Sequence, residues 1–136
     1  EASTVSHWLL QASTHAMETG RPVEVRYDFD GPALVARSVR PGGEKSEIFA
    51  HRLSRKVELA RVLRFRAGTI EEARGGAIDV RYGADGTCDA HLVTLAGPDG
   101  SVRTIEVNPA SGAATVFEGW RDYEKVDVEM RPPKWQ

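Results

Sequence analysis

Apolar side chains at Val5, Trp8, Leu9, Ala12 and Ala16 recur at the i, i+3, i+4, i+7 and i+11 spacing of one helical stripe. The spacing predicts an amphipathic helix over residues 2–19, stopped by Gly20 and Pro22. Bulky Trp8 and Leu9 alternate along the stripe with small Ala12 and Ala16, which let a sheet approach closely. The other side, with Ser6, His7, Gln11, Ser13, Thr14 and Glu18, is expected to face water or a neighbouring subunit.

From residue 22 the period changes to two. Val23, Val25, Tyr27 and Phe29 alternate with Glu24, Arg26 and Asp28, which predicts a strand over 22–29. Asp30-Gly31-Pro32 turns the chain, and residues 33–40 supply the second arm of a hairpin with Leu34 or Val35 inward. After Pro41-Gly42-Gly43 the pattern loosens, with a short strand at 47–51 and another within 56–65. In the latter, Val57, Leu59, Leu63 and Phe65 share a parity that Arg61 interrupts, while Val62 takes the opposite face, so a bulge or two short strands is expected. Residues 66–76 read as a connecting loop with room for one helical turn at 70–74.

Residues 77–118 hold four alternating runs, 77–82, 89–95, 102–107 and 113–118, separated by Gly83-Ala84-Asp85-Gly86, Gly97-Pro98-Asp99-Gly100 and Asn108-Pro109-Ala110-Ser111-Gly112. That order predicts one continuous antiparallel meander. The charge-dense end after Gly119 reads as a surface arm, with Trp120, Tyr123 and Val126 as anchors. The fold class is therefore α+β, a long N-terminal helix packed on antiparallel sheets and ending in a meander. All of 1–136 is taken as one domain, divided into helix (1–20), β domain (21–118) and surface tail (119–136).

Composition narrows the function classes. At 136 residues the chain is long enough for a core of its own, and 40% hydrophobic with 28% charged residues argues against wholesale disorder. A net charge of -2 gives no electrostatic footprint for nucleic acid or an anionic membrane. The single cysteine, Cys88, cannot form an internal disulfide or a thiolate metal site alone. No run approaches the ~20 apolar residues that span a bilayer. The chain opens at Glu1 already inside a helical pattern, so a processed or truncated N-terminus is expected.

Candidate chemistry is sparse. Cys88, Asp89 and His91 lie beside Asp85, but on a strand Cys88 and His91 face opposite sides and do not converge. Asp85-Gly86 and Asp99-Gly100 lack the regular ligand series of a calcium loop and fit hairpin turns. Arg52, Arg55, Lys56, Arg61, Arg64 and Arg66 gather against one acid, Glu58, either as the solvated face of edge strands or as a contact for phosphates or an acidic partner. His7 and His15, eight residues apart, read as surface histidines. With no phosphate loop, nucleophile elbow or H-E-x-x-H motif, no catalytic residue, metal ligand or cofactor site is assigned.

The order of elements resembles the type IV pilin-like superfamily, and within it the H-type minor pseudopilins of type II secretion and the related FimT-like minor pilins. The resemblance rests on 12–28, ASTHAMETGRPVEVRYD, and on 78–117, with IDVRYGADGT, HLVTLAGPDGSVRTIEVNPASG and ATVF. It covers about two thirds of the chain in order, and its motifs are diffuse turn and strand patterns. The family's cleavable leader and very apolar early helix do not occur in 1–136, and Glu1 is not equated with the family's N-terminal glutamate.

The resemblance implies a non-enzymatic, inner-membrane-anchored, periplasm-facing subunit near the tip of a secretion pseudopilus, with the alternative of a minor pilin in pilus assembly or DNA capture. Implied partners are other pseudopilins or minor pilins through the N-terminal helix, whose own packing residues are Val5, Trp8, Leu9, Ala12 and Ala16, together with secreted protein cargo, and the inner membrane through a missing upstream segment. Nucleic acid is not an expected partner of the leading reading. Arg52, Arg55, Lys56, Arg64, Trp120 and Tyr123 form the candidate partner surface.

Overall fold

The computed structural model describes residues 1–31 and 33–122. Helix α1 spans Ala2–Thr19 and ends on Gly20, whose left-handed backbone (φ 69°) lets its N–H reach the Ala16 carbonyl. Val5, Leu9, Ala12 and Ala16 are fully buried and Trp8 nearly so. Ser13 is buried as well, which corrects its expected place on the polar side. Its hydroxyl lies so close to Gly112 that a Cβ there would come within 2.6 Å of it. Only a small residue on the helix and a glycine in the facing turn fit this approach.

Nine strands follow among the described residues: β1 (Val23–Asp28), β2 (Ala33–Val39), β3 (Lys45–Arg52), β4 (Glu58–Arg66), β5 (Thr69–Ala73), β6 (Ala77–Tyr82), β7 (Ala90–Ala96), β8 (Val102–Val107) and β9 (Ala114–Glu118). They form a four-stranded sheet in the order β3-β2-β1-β6 and a five-stranded sheet in the order β5-β4-β7-β8-β9, with antiparallel pairing throughout. The helix touches β1 and β6 of the first sheet and β8 and β9 of the second, so one stripe closes both. Val23, Val25, Tyr27, Val80 and Tyr82 meet Val62, Val93, Leu95, Ile105 and Val107 in that shared core.

The stretch 77–118 is not one meander. β6 leaves it to pair with β1, with Val80 opposite Val25, and only β7, β8 and β9 run as consecutive neighbours. The chain changes sheets between Tyr82 and Ala90, where a single bridge links Tyr82 to Cys88 and the Gly83 N–H bonds the Thr87 carbonyl at 2.7 Å. Alternation marks which side chains point inward but carries no information about which sheet a strand joins.

Residues 66–76 also differ from expectation: a strand replaces the helical turn. Ala67 (φ 53°) and Gly68 (φ 80°) make a two-residue turn with both residues left-handed, the geometry that returns one strand tightly onto another. β5 then pairs along β4, with Ile70 opposite Phe65. In β2, Leu34, Ala36 and Ser38 turn inward, settling the register. The expected bulge in β4 falls between Leu59 and Arg61, where the pairing with β7 shifts.

Candidate interaction surfaces

The residues closest to metal or nucleophile chemistry each have a separate partner. The Asp89 carboxylate accepts the Arg81 N–H at 2.9 Å and pairs with Arg66. His91 is fully buried, with Nδ1 2.8 Å from the Asp89 carbonyl and Nε2 2.8 Å from the Tyr27 hydroxyl. A carbonyl only accepts, so Nδ1 carries the proton and Nε2 takes the hydrogen bond donated by Tyr27. Burial lowers the His91 pKa to about 4, which keeps the ring neutral. The Cys88 thiol, half-buried and 3.6 Å from the Asn108 carbonyl, is pushed up to about 12 by burial and then by Asp89, so it is no nucleophile at neutral pH. Among the described residues, no three His, Cys, Asp or Glu side chains are grouped to hold a metal ion.

Asp85 and Asp99 serve their own turns. Asp85 accepts the Thr87 hydroxyl at 2.7 Å and the Thr87 N–H at 3.1 Å, and Asp99 accepts the Ser101 N–H at 3.1 Å. The Thr87 side chain and then its backbone hold the Asp85 carboxyl below the usual range, and the Ser101 side chain and then its backbone do the same for Asp99. Gly86 (φ 90°) supplies the left-handed position after Asp85 that a side chain resists.

The basic cluster separates into two groups. β4 lies between β5 and β7, so the expectation that 61–66 forms the solvated face of an edge strand is corrected. Arg64 pairs with Glu71 and donates to the Asp79 carbonyl, and Arg66 pairs with Asp89. Arg61, only 4% exposed, donates to the Asp122 carboxylate at 2.8 Å and to the Arg121 carbonyl. Arg52, Arg55 and Lys56 stay exposed, with no acidic partner among the described residues. Glu1 bonds His51 at 2.9 Å, and Val57 shares a shallow 290 Å³ cavity with Glu1 and Ala2. These contacts place the three free cations at the end of the domain where α1 begins.

Trp120 is half exposed and lies against two guanidinium groups, with Arg61 5.1 Å and Arg74 5.8 Å from its ring. Tyr123, the remaining candidate of that surface, lies outside the described residues, as does Val126.

On the helix, His7, Gln11, Thr14 and Glu18 are exposed, and the half-buried His15 sets its ring edge to Phe49 at 6.1 Å. Leu10 and Met17 are 43% and 47% exposed, two turns apart on one side. Sequence reasoning passed over them because they lie off the main stripe. Two large apolar residues seven positions apart were the signal available.

The chain matches no family model and no curated protein. By structure it is similar to the minor pseudopilin EpsH from the type 2 secretion system of Vibrio cholerae, with a TM-score of 0.63 at 13% identity over 86% of this chain and 93% of that one. A second EpsH structure from the same organism gives a TM-score of 0.63 at 14% identity, over 89% and 94% of the two chains. One helix laid across two antiparallel sheets is thus a pilin-like fold that matches the fold of EpsH.

Proposed function

We propose that this chain is a non-enzymatic minor pseudopilin, a structural subunit of a type II secretion pseudopilus that assembles near the filament tip. The fold likeness to EpsH, which spans nearly all of both chains, carries this reading. In it, a segment upstream of Glu1 continues α1 into the inner membrane and the β domain faces the periplasm. No helix among the described residues is itself long and apolar enough to cross a membrane. The exposed Leu10 and Met17 pack against helices of other pseudopilins, and secreted cargo meets the β domain.

Deleting the gene should abolish release of the proteins its host exports by type II secretion, and the intact gene should restore it. Leu10→Glu with Met17→Glu should fail to restore release although the domain still folds. Normal secretion in the deletion strain would overturn the reading. Arg52, Arg55 and Lys56, which make no ion pair among the described residues, favour one second reading, a minor pilin that captures DNA. A gel shift that weakens steeply with salt and disappears in the triple alanine variant would support it, and no shift at low salt would remove it.

A further inference from the structure

A hollow of about 400 Å³ opens at the end of the domain where α1 finishes. Arg21 follows the helix, Arg40 belongs to the turn between β2 and β3, Lys45 opens β3 and Arg81 comes from β6, so separate elements converge on one place. Backbone bonds fix its rim: the Val39 N–H reaches the Pro22 carbonyl at 2.9 Å, and the Arg40 N–H reaches the Glu44 carbonyl at 2.8 Å. The cations are therefore held on a preformed frame.

Those four cations line the hollow against one carboxylate, Glu24. The whole chain carries a net charge of -2, so the excess is local. Glu24 stands opposite Arg81 in register, yet its carboxylate lies 2.9 Å from the Lys45 ammonium and is committed there. Arg40 meets only Glu44, 4.0 Å away and largely exposed, a contact worth little in water. Arg21 stands just past the helix C-terminus, where a cation offsets the partial negative charge of the helix dipole. Arg81 has no such local role. Arg21 and Arg81 are both exposed and make no ion pair among the described residues. Local structure thus uses part of this charge and leaves the rest to the hollow.

The chemistry of the lining selects the occupant. Guanidinium groups match carboxylates through paired N–H donors, and Arg21, Arg40 and Arg81 offer three of them around one opening. Duplex DNA asks instead for cations spread in a row along its phosphates, and the net negative charge of the chain repels it. A second copy stacked end to end does not supply the complement either. Where α1 begins, it carries Arg52, Arg55, Lys56 and Arg103 against Glu1, Glu58, Asp99 and Glu118, with no acidic excess.

We propose that this hollow is a docking site for an acidic segment of another protein, whose carboxylates are received by Arg21, Arg40 and Arg81. The inference goes beyond the secretion reading and does not depend on it. Within that reading the segment belongs to a different pseudopilin, and the contact lies about 27 Å, the length of α1, from the cations at the start of the helix.

The test titrates a short glutamate-rich peptide into the isotope-labelled chain at low salt and follows backbone amide shifts by NMR. Shifts should concentrate at Gly20, Arg21, Arg40, Gly43 and Arg81, fade as salt rises, and be missing with the glutamine counterpart of the peptide. Arg21→Ala with Arg81→Ala should weaken binding about tenfold at unchanged circular dichroism. Equal shifts from inorganic phosphate at the same concentration would make this a general anion site and overturn the proposal. Stronger shifts at these amides from duplex DNA would reassign the hollow to nucleic acid, and shifts that appear on concentrating the chain alone would reassign it to a second copy; either result contradicts the proposal. So would shifts spread over the whole surface, no shifts at all, or undiminished affinity in the double variant.

Discussion

The two faces of the five-stranded sheet are both buried at β7, yet they are held by different forces. Toward the helix, Val62, Val93, Leu95, Ile105 and Val107 meet Val5, Leu9 and Ala12 through apolar packing that depends on volume and area more than on direction. Away from it, Arg61 answers Asp122 and Trp120, the Thr94 and Thr104 hydroxyls lie 3.2 Å apart, and Thr104 also bonds the Gly119 carbonyl. One face is a core, and the other a set of directed contacts to a short stretch of chain. Damage to the first should therefore unfold the domain, and damage to the second should release 119–122 while the domain stays folded.

The largest effect is expected from Leu9→Ala. The residue is fully buried between the sheets, and the cavity left behind should cost about 3 kcal/mol, read as a lower urea midpoint at unchanged slope. A loss below about 1 kcal/mol would mean that the helix is not the keystone of the core.

Acid should come next and act through His91. An unfolded histidine takes up its proton near pH 6.5 and the folded one only near 4, so within that window the unfolded state binds more protons. Stability should fall by about 3 kcal/mol as pH drops from 6.5 to 4. In His91→Gln this part of the pH dependence should vanish, which urea titrations at several pH values would show.

Gly112→Ala should cost about 2 kcal/mol, since the position has φ 73° and a Cβ there would sit 2.6 Å from the Ser13 hydroxyl oxygen. Adding Ser13→Ala should recover only part of the loss, because the backbone strain remains. Arg61→Met should have the smallest effect on stability, about 1 kcal/mol or less, since its partner Asp122 is largely exposed. It should nevertheless speed tryptic cleavage after Arg121 about fivefold by freeing 119–122, and an unchanged rate would erase the contrast between the two faces.

This contrast also explains what the sequence made legible. α1 and β1 could be read because each buries one face only, so Val5 to Ala16 and Val23 to Tyr27 keep a clean period. β5 was hidden because nearly all of it is exposed, and its existence depends on the Ala67-Gly68 turn and its pairing with β4. Ser13 looked like surface because its burial comes from Gly112, distant in sequence. In β4, buried Arg61 and Leu63 beside Val62 blurred the alternation because the strand is covered on both sides. The Asp-Gly turns were legible from local chemistry, whereas the split of 77–118 between two sheets depended on Val80 meeting Val25 across the fold. Of the candidate partner surface, the sequence could name the cations but not their partners. Arg64 is occupied by Glu71 and the Asp79 carbonyl, and Arg52, Arg55 and Lys56 are left exposed.

In the proposed function this domain acts through its helix as one subunit among pseudopilins. The most direct measurement is photo-crosslinking in secreting cells, with benzoylphenylalanine at Leu10 or Met17 of the full-length protein. The account predicts adducts with another pseudopilin at both positions and none from Ala12, which is fully buried inside the domain. Efficient crosslinking from Ala12, or no pseudopilin adduct from either exposed position in cells that secrete normally, would contradict it.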